Sequence, residues 1–425
     1  MCIYWCIVDW PQHVLHRSFA WPVFSILRSK IINGIEGGLG RIMRMVLRTF
    51  FPEVGHSFAT GVHIHCPTGG YVVTAIFAGF LADLLGHKEL SAAKGTGGIS
   101  CCINCANVVN CQHRASKVGE VTCACSDRRN FRQRTNDDVW AIVDALAEVH
   151  GTISKTKFES LETEYGFNYS PEGILLDKGI RHIYKPVDQC IRVWQHTVAQ
   201  DGVGNTHIFN VVMAMTEMCN IPIEMIQNFS QLCNYPSMWG KLDQAAFARQ
   251  RLRNTTIASF SSTILTMVPV LYLFMEKFVA DAMPRHFAAF KLLHNIFGIL
   301  RMSPKDATRH TSTLRTLIAE HLAACVDLYG DYVKPKAHHM FHIVDGILWL
   351  GCLLGCFVTE RKHRVIKAAS LHVFRHIEHT VLHDVLNQNI QQILDGNDLY
   401  NEQFLVCPSI GEVGSDISEE QGHAS

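Results

Sequence analysis

From Asn205 to Tyr329 the apolar residues recur at helical spacing almost throughout, with Pro222, Pro269, Pro284 and Pro304 marking breaks. A helical block of that length contributes no strands, so any sheet has to be built upstream of it. Strand-like runs are found there. Gly61-Val-His-Ile-His-Cys66 and Tyr71-Val-Val-Thr-Ala-Ile-Phe77 flank Pro67-Thr-Gly-Gly70, which predicts a hairpin. The second run continues through Ala78-Gly-Phe-Leu-Ala-Asp83, placing Asp83 where extended chain gives way to a helix or loop, and a further strand signal lies near Ile180–Val193. Ser29–Phe51 reads as a glycine-interrupted amphipathic helix, Asp137–His150 as a helix, and His338–Leu394 as a final helical section. Gly37-Gly38 lacks the lysine and the preceding strand of a phosphate loop and reads as a turn.

The chain has 425 residues, 48% of them hydrophobic and 18% charged, in the range of a folded, core-forming protein. Lys+Arg and Asp+Glu both number 38, so the formal net charge is zero, which argues against a general nucleic-acid coat and leaves only local basic patches for phosphate. One such patch is Arg128-Arg-Asn-Phe-Arg-Gln-Arg134. Met1–Trp10 is apolar but lacks a basic start and a small-residue cleavage site, so the 16 cysteines read as reduced thiols in an intracellular compartment. Ile257–Met275 is uncharged but carries five Ser/Thr and Pro269, and reads as a buried helix rather than a membrane span.

Cys102-Ile-Asn-Cys105 has the spacing that lets two thiolates reach one zinc ion. Cys111, His113, Cys123 and Cys125 are candidates to complete a tetrahedron, His113 and Cys123 being taken with the first pair as a structural zinc site. His338 and His342 stand at i,i+4 and could share a metal on one helix face. There is no intervening glutamate for metalloprotease chemistry; Lys334 and Lys336 just before them fit a surface facing a DNA backbone, and a simple packed or solvated helix explains the same residues equally well.

Glu360 opens a helix with a dense basic face. His363, Arg364 and Lys367 follow three, four and seven residues on, and Arg361 and Lys362 add to the charge. An acid among cations suits phosphoryl transfer on nucleic acid: the acid holds a divalent metal and the cations meet phosphates. A solvated helix with ion pairs explains the same residues.

Together these segments resemble the catalytic region of eukaryotic cut-and-paste transposases of the CACTA and Kyakuja–Dileera–Zisupton group, over roughly residues 20–385. Four pieces carry the likeness: Ile76–Asp83 followed by Lys94–Cys105; Arg192-Val-Trp-Gln-His-Thr197; Lys334–His342; and Cys356–His363. The resemblance implies an α+β, mostly helical chain whose ribonuclease-H-like mixed sheet is interrupted by a Cys-rich loop and a large all-helical insertion. It implies three acids that bind Mg²⁺, with Asp83 among the first two and Glu360 the third. The implied organisation is a helical segment over 1–51, a sheet core over 52–204 with the Cys-rich insertion at about 101–125, a helical insertion over 205–330, helices carrying Glu360 over 331–400, and a disordered acidic tail over 401–425. The second acid is missing: where the family has Asp or Cys three residues before a histidine, this chain has Val193 before His196. Valine offers Mg²⁺ no oxygen. The expectation is therefore a transposase-derived, DNA-binding, nuclear protein, alone or as a homo-oligomer, with weak or absent nuclease activity, His196 packing in support, and phosphate contacts at Lys334, Lys336, Arg361, Lys362, His363, Arg364 and Lys367. The alternatives are an active Mg²⁺-dependent transposase and a helical membrane-associated protein.

Overall fold

A computed structural model describes residues 1–236, 240–330, 334–370 and 377–395. The chain is α+β and mostly helical. Its strands are β1 Cys2–Tyr4, β2 Val23–Ile26, β3 Val62–Cys66, β4 Gly69–Val73, β5 Phe80–Ala82, β6 Val108–Val109, β7 Val121–Thr122, β8 Cys190–Arg192, β9 Leu252–Arg253 and β10 Thr256–Ile257. The longer helices begin with α1 Gly38–Phe50, α2 Leu84–Ser91, α3 Asn136–Val149, α4 Lys155–Tyr165, α5 Val203–Cys219 and α6 Ile223–Leu232. They continue with α7 Ser261–Phe278, α8 Pro284–Leu300, α9 Thr311–Tyr329, α10 Pro335–Leu350, α11 Phe357–Ser370 and α12 Ile377–Asp395.

The chain divides into two compact units, one made of Met1–Ser29 with Phe357–Ser425 and the other of Lys30–Cys356. In the first, β1 and β2 pair antiparallel, and Val23 packs with Ile366 of α11 and Val381 and Val385 of α12. The acidic tail over 401–425 lies outside the described residues.

In the second unit the local signals act as their chemistry requires. Thr135 and Asp138 form a reciprocal capping box that starts α3. Asp83 caps α2, its carboxylate accepting from the Gly86 N–H (2.6 Å). Pro284 and Pro335 sit in the first turns of α8 and α10, where no N–H is needed. Pro269 does not break the chain as its position suggested. It lies inside α7, whose Ile264, Met267, Val268, Val270, Leu271, Phe274 and Met275 are buried, and that burial outweighs one lost backbone hydrogen bond. Among the described residues no helix is long and apolar enough to cross a membrane. Residues 233–236 and 240–260 also depart from the all-helical reading: they are largely irregular and carry the small β9–β10 hairpin.

The sheets are small. Among the described residues every one has two strands: β1–β2, β3–β4, β5–β8, β6–β7 and β9–β10. The expected hairpin forms as β3–β4, with Cys66 opposite Gly69, but it is almost wholly exposed and its second strand ends at Val73. The pair that matters for the site is β5 with β8, which run parallel. Gly79 permits their approach. Its φ is +147°, and a Cβ there would stand 2.8 Å from the Gln189 carbonyl oxygen.

Candidate functional site

Four buried donor groups converge in the larger unit: the thiols of Cys102 and Cys105 and the imidazoles of His338 and His342. The two cysteines ride on a loop held from several sides. Arg134 donates to the Cys102 carbonyl (3.2 Å) and to Ser100 Oγ (3.0 Å), the Arg134 N–H bonds the Asn104 carbonyl (2.9 Å), and Asn104 Nδ2 donates to the Val187 carbonyl (2.9 Å). The histidines come from α10, where their i,i+4 spacing aligns both rings. His342 Nε2 lies 3.3 Å from Cys102 Sγ, 3.5 Å from Cys105 Sγ and 3.1 Å from His338 Nε2. A tetrahedral ion with bonds of about 2.0 Å to nitrogen and 2.3 Å to sulfur spaces its donors about 3.3–3.8 Å apart. The four residues can hold a metal such as zinc.

Two supporting features are fixed by the same fold. His342 Nδ1 faces Asp345 Oδ2 (2.9 Å), and the other Asp345 oxygen accepts from Arg128 (2.7 Å) and Arg315 (2.9 Å). A carboxylate at Nδ1 sets the tautomer that presents Nε2 to the donors' centre. Phe131 stands edge-on to the His338 ring (4.7 Å between centroids) and to Phe341 (5.3 Å), closing the site with apolar surface.

The electrostatics favour a cation. Burial works against ionising the Cys102 thiol, but the Cys105 hydrogen bond and the His342 and His338 rings outweigh it and hold its pKa well below the ordinary thiol value. Cys105, hydrogen-bonded to Cys102 and buried, is pushed up. Burial opposes charge on His342, yet Cys102 and Asp345 raise it to about 9. His338 is lowered by burial. The shifts of Cys102 and His342 both favour the charged forms, thiolate beside imidazolium, and a divalent cation would take the place of the protons the cluster holds.

Cys102 and Cys105 therefore do come together with two more ligand-type residues, but these are not His113 and Cys123. His113 sits in an exposed turn. Cys123 is buried in a cluster with Cys101, Cys105 and Val108, its Sγ 3.2 Å from Cys111 Sγ. The assignment to a DNA-facing surface also fails for the α10 histidines, since His338, His339 and His342 are at most 3% exposed. The 128–134 basic patch likewise turns partly inward, with Arg128 on Asp345 and Arg134 on the cysteine loop. The missing signal was the link between distant motifs, although Cys-x-x-Cys and His-x₃-His each have ligand spacing.

The remaining candidates lie elsewhere. In the parallel β5–β8 pair, Phe80 is opposite Cys190 and Ala82 opposite Arg192, and the Val193 N–H donates to the Ala82 carbonyl (3.2 Å). Asp83 and Val193 are thus the next residues on neighbouring strands, both at C-terminal ends. Val193 is 4% exposed. His196 is half-buried in a five-residue π-helical turn, Gln195–Ala199. Lys336 donates to the Gln200 carbonyl (3.4 Å). Burial lowers its pKa, while the Asp201 and Asp83 carboxylates act on its ammonium in the opposite sense. Lys334 is the exposed N-cap residue of α10.

Glu360 lies in the first turn of α11, in the smaller unit, where a carboxylate suits the helix dipole. On that helix Arg361, Arg364 and Lys367 are exposed and His363 is half-buried, its pKa lowered first by burial. Lys362 departs from the phosphate-contact reading. It is 7% exposed, and its Nζ donates to the carbonyls of Ser18 (3.1 Å) and Trp21 (2.8 Å) and to Asn389 Oδ1 (2.8 Å). An ammonium buried among three acceptors serves the packing of its own unit.

No family model, curated protein or solved structure matches this chain.

Proposed function

We propose that this chain is a zinc-stapled, transposase-derived scaffold that binds DNA and lacks nuclease activity. The observation that carries the reading is the β5–β8 register. Asp83 and Val193 are 110 positions apart, were singled out by different segments, and emerge side by side at the C-terminal ends of parallel strands. Two-metal phosphoryl transfer needs carboxylates side by side on a rigid support, so that both metals clamp one phosphodiester. On this reading β5 and β8 correspond to the acid-bearing strands of a ribonuclease-H-like core, reduced to a two-stranded parallel pair. The edge has one acid where the chemistry needs two, since a valine side chain supplies no oxygen to Mg²⁺.

Zinc belongs to the same proposal as the ion held by Cys102, Cys105, His338 and His342. Zinc supplies a rigid four-bond crosslink, and the chain's part is to present two thiols and two Nε2 atoms with Asp345 fixing the tautomer of His342. That crosslink ties the Cys-rich loop to α10, on either side of the helical block. The exposed Arg361, Arg364, Lys367 and Lys334 are the residues proposed to meet DNA phosphates.

The test is a strand-nicking assay on supercoiled plasmid with Mg²⁺ or Mn²⁺, paired with a salt-dependent DNA-binding titration. Binding that weakens with salt, and nicking no higher than an Asp83→Ala control, are the expected results. Nicking by the natural chain that Asp83→Ala abolishes would establish the active-transposase alternative. Absence of DNA binding at low salt would sink the DNA-binding part.

A further inference from the structure

A second set of nitrogen and sulfur donors meets inside the helical block, away from the Cys102 cluster. His207 on α5 faces His321 on α9, and Cys325 follows one helical turn after His321. His207 Nδ1 is 2.9 Å from His321 Nε2, and Cys325 Sγ is 3.5 Å from His321 Nε2 and 3.9 Å from His207 Nδ1. Both rings are 1% exposed.

We propose that His207, His321 and Cys325 form a second zinc site, which pins α5 to α9. Two separate features point to it. The three donor atoms already stand close to the spacing a tetrahedral ion sets, the two nitrogens needing to part by only a few tenths of an ångström. The set is of mixed imidazole and thiolate type, which suits zinc rather than a hard, oxygen-seeking cation. The facing rings share one N–H···N bond, and the Tyr329 ring packs edge-on to His207 at 5.8 Å. His286 also acts on His207 and packs against Tyr329.

Binding expels the Cys325 thiol proton to solvent and changes no oxidation state. Three protein ligands leave a fourth tetrahedral position for water. Phe290 packs edge-on against the His207 ring (5.3 Å between centroids). The site bridges the first helix of the block to its last, so it clamps the block independently of the Cys102 cluster.

Metal stoichiometry of the full chain tests this. Native mass spectrometry after expression with zinc is expected to give two ions per chain. Cys325→Ala, a mild truncation of a half-buried residue, is expected to give one, and Cys102→Ser combined with Cys105→Ser is expected to keep one. With Co²⁺ as probe, Cys325→Ala should remove about a third of the thiolate-to-metal charge-transfer intensity, since one thiolate of three is lost. A natural chain holding a single ion that Cys325→Ala does not displace would overturn the second site and leave the first standing. A chain whose single ion survives loss of Cys102 and Cys105 but not of Cys325 would sink the first site and keep this one. A metal-free chain would overturn both.

Discussion

The Asp345 carboxylate stands 2.9 Å from His342 Nδ1 and is itself held by Arg128 and Arg315. The contact gives His342 one ring nitrogen for the carboxylate and one for the metal. It also joins three distant parts of the larger unit, because Arg128 follows the Cys-rich loop and Arg315 comes from α9. Asp345→Asn keeps the shape and removes the charge. Metal affinity at the Cys102 cluster is expected to fall about 10–100-fold, measured by competition with a chromophoric chelator. Unchanged affinity would mean that the carboxylate does not act on the ligand.

Loss of a ligand should be a folding defect as well as a binding one. Cys102→Ser or His342→Ala is expected to remove one equivalent of metal and to destabilise the larger unit by several kcal/mol, because metal-binding free energy is also folding free energy. Thermal unfolding of the natural chain should shift downwards with a strong chelator, and the variants should not respond further at this site.

The pH dependence has opposite signs with and without metal. In the metal-free chain His342 is raised to about 9, above the value of about 6.5 for an unfolded imidazole. Its stabilisation is therefore complete below about pH 6.5 and lost as pH rises through about 9. Metal loading displaces the protons that the His342 ring and the Cys105 thiol hold, both groups being raised in the metal-free cluster. Affinity should therefore rise with pH through the neutral range. Calorimetry in buffers of different ionisation enthalpy should report net proton release on metal binding.

The β5–β8 junction depends on Gly79. Ala at this position meets both a left-handed backbone and the Gln189 carbonyl oxygen, so Gly79→Ala is expected to cost about 1–3 kcal/mol in chemical denaturation. A neutral outcome would mean that the two strands are not held in this register.

The helical character, the hairpin, the end of the extended run at Asp83 and half of the metal cluster were legible in the sequence, each of which rests on residues near one another in the chain. The other half came from α10, more than 230 residues beyond Cys105, and no local pattern says that His338 faces the Cys-rich loop. Lys362 was misread for a related reason. A lysine among arginines looks solvated in a one-dimensional pattern, whereas its amine reaches three acceptors contributed by residues near both chain termini. The small size of the sheets was also hidden, because a run such as Tyr71–Phe77 has strand composition whether or not a partner continues beside it.

The most direct test of the missing-acid account is Mn²⁺ binding by the natural chain, by Val193→Asp and by Val193→Asp combined with Asp83→Asn, read by electron paramagnetic resonance. Zinc content and circular dichroism would serve as the check on folding. Two adjacent carboxylates on β5 and β8 should bind Mn²⁺ at least about tenfold more tightly than one, and the second substitution should erase the gain. A folded Val193→Asp protein that binds Mn²⁺ no better than the natural chain would show that the two strand ends do not form a metal-binding edge.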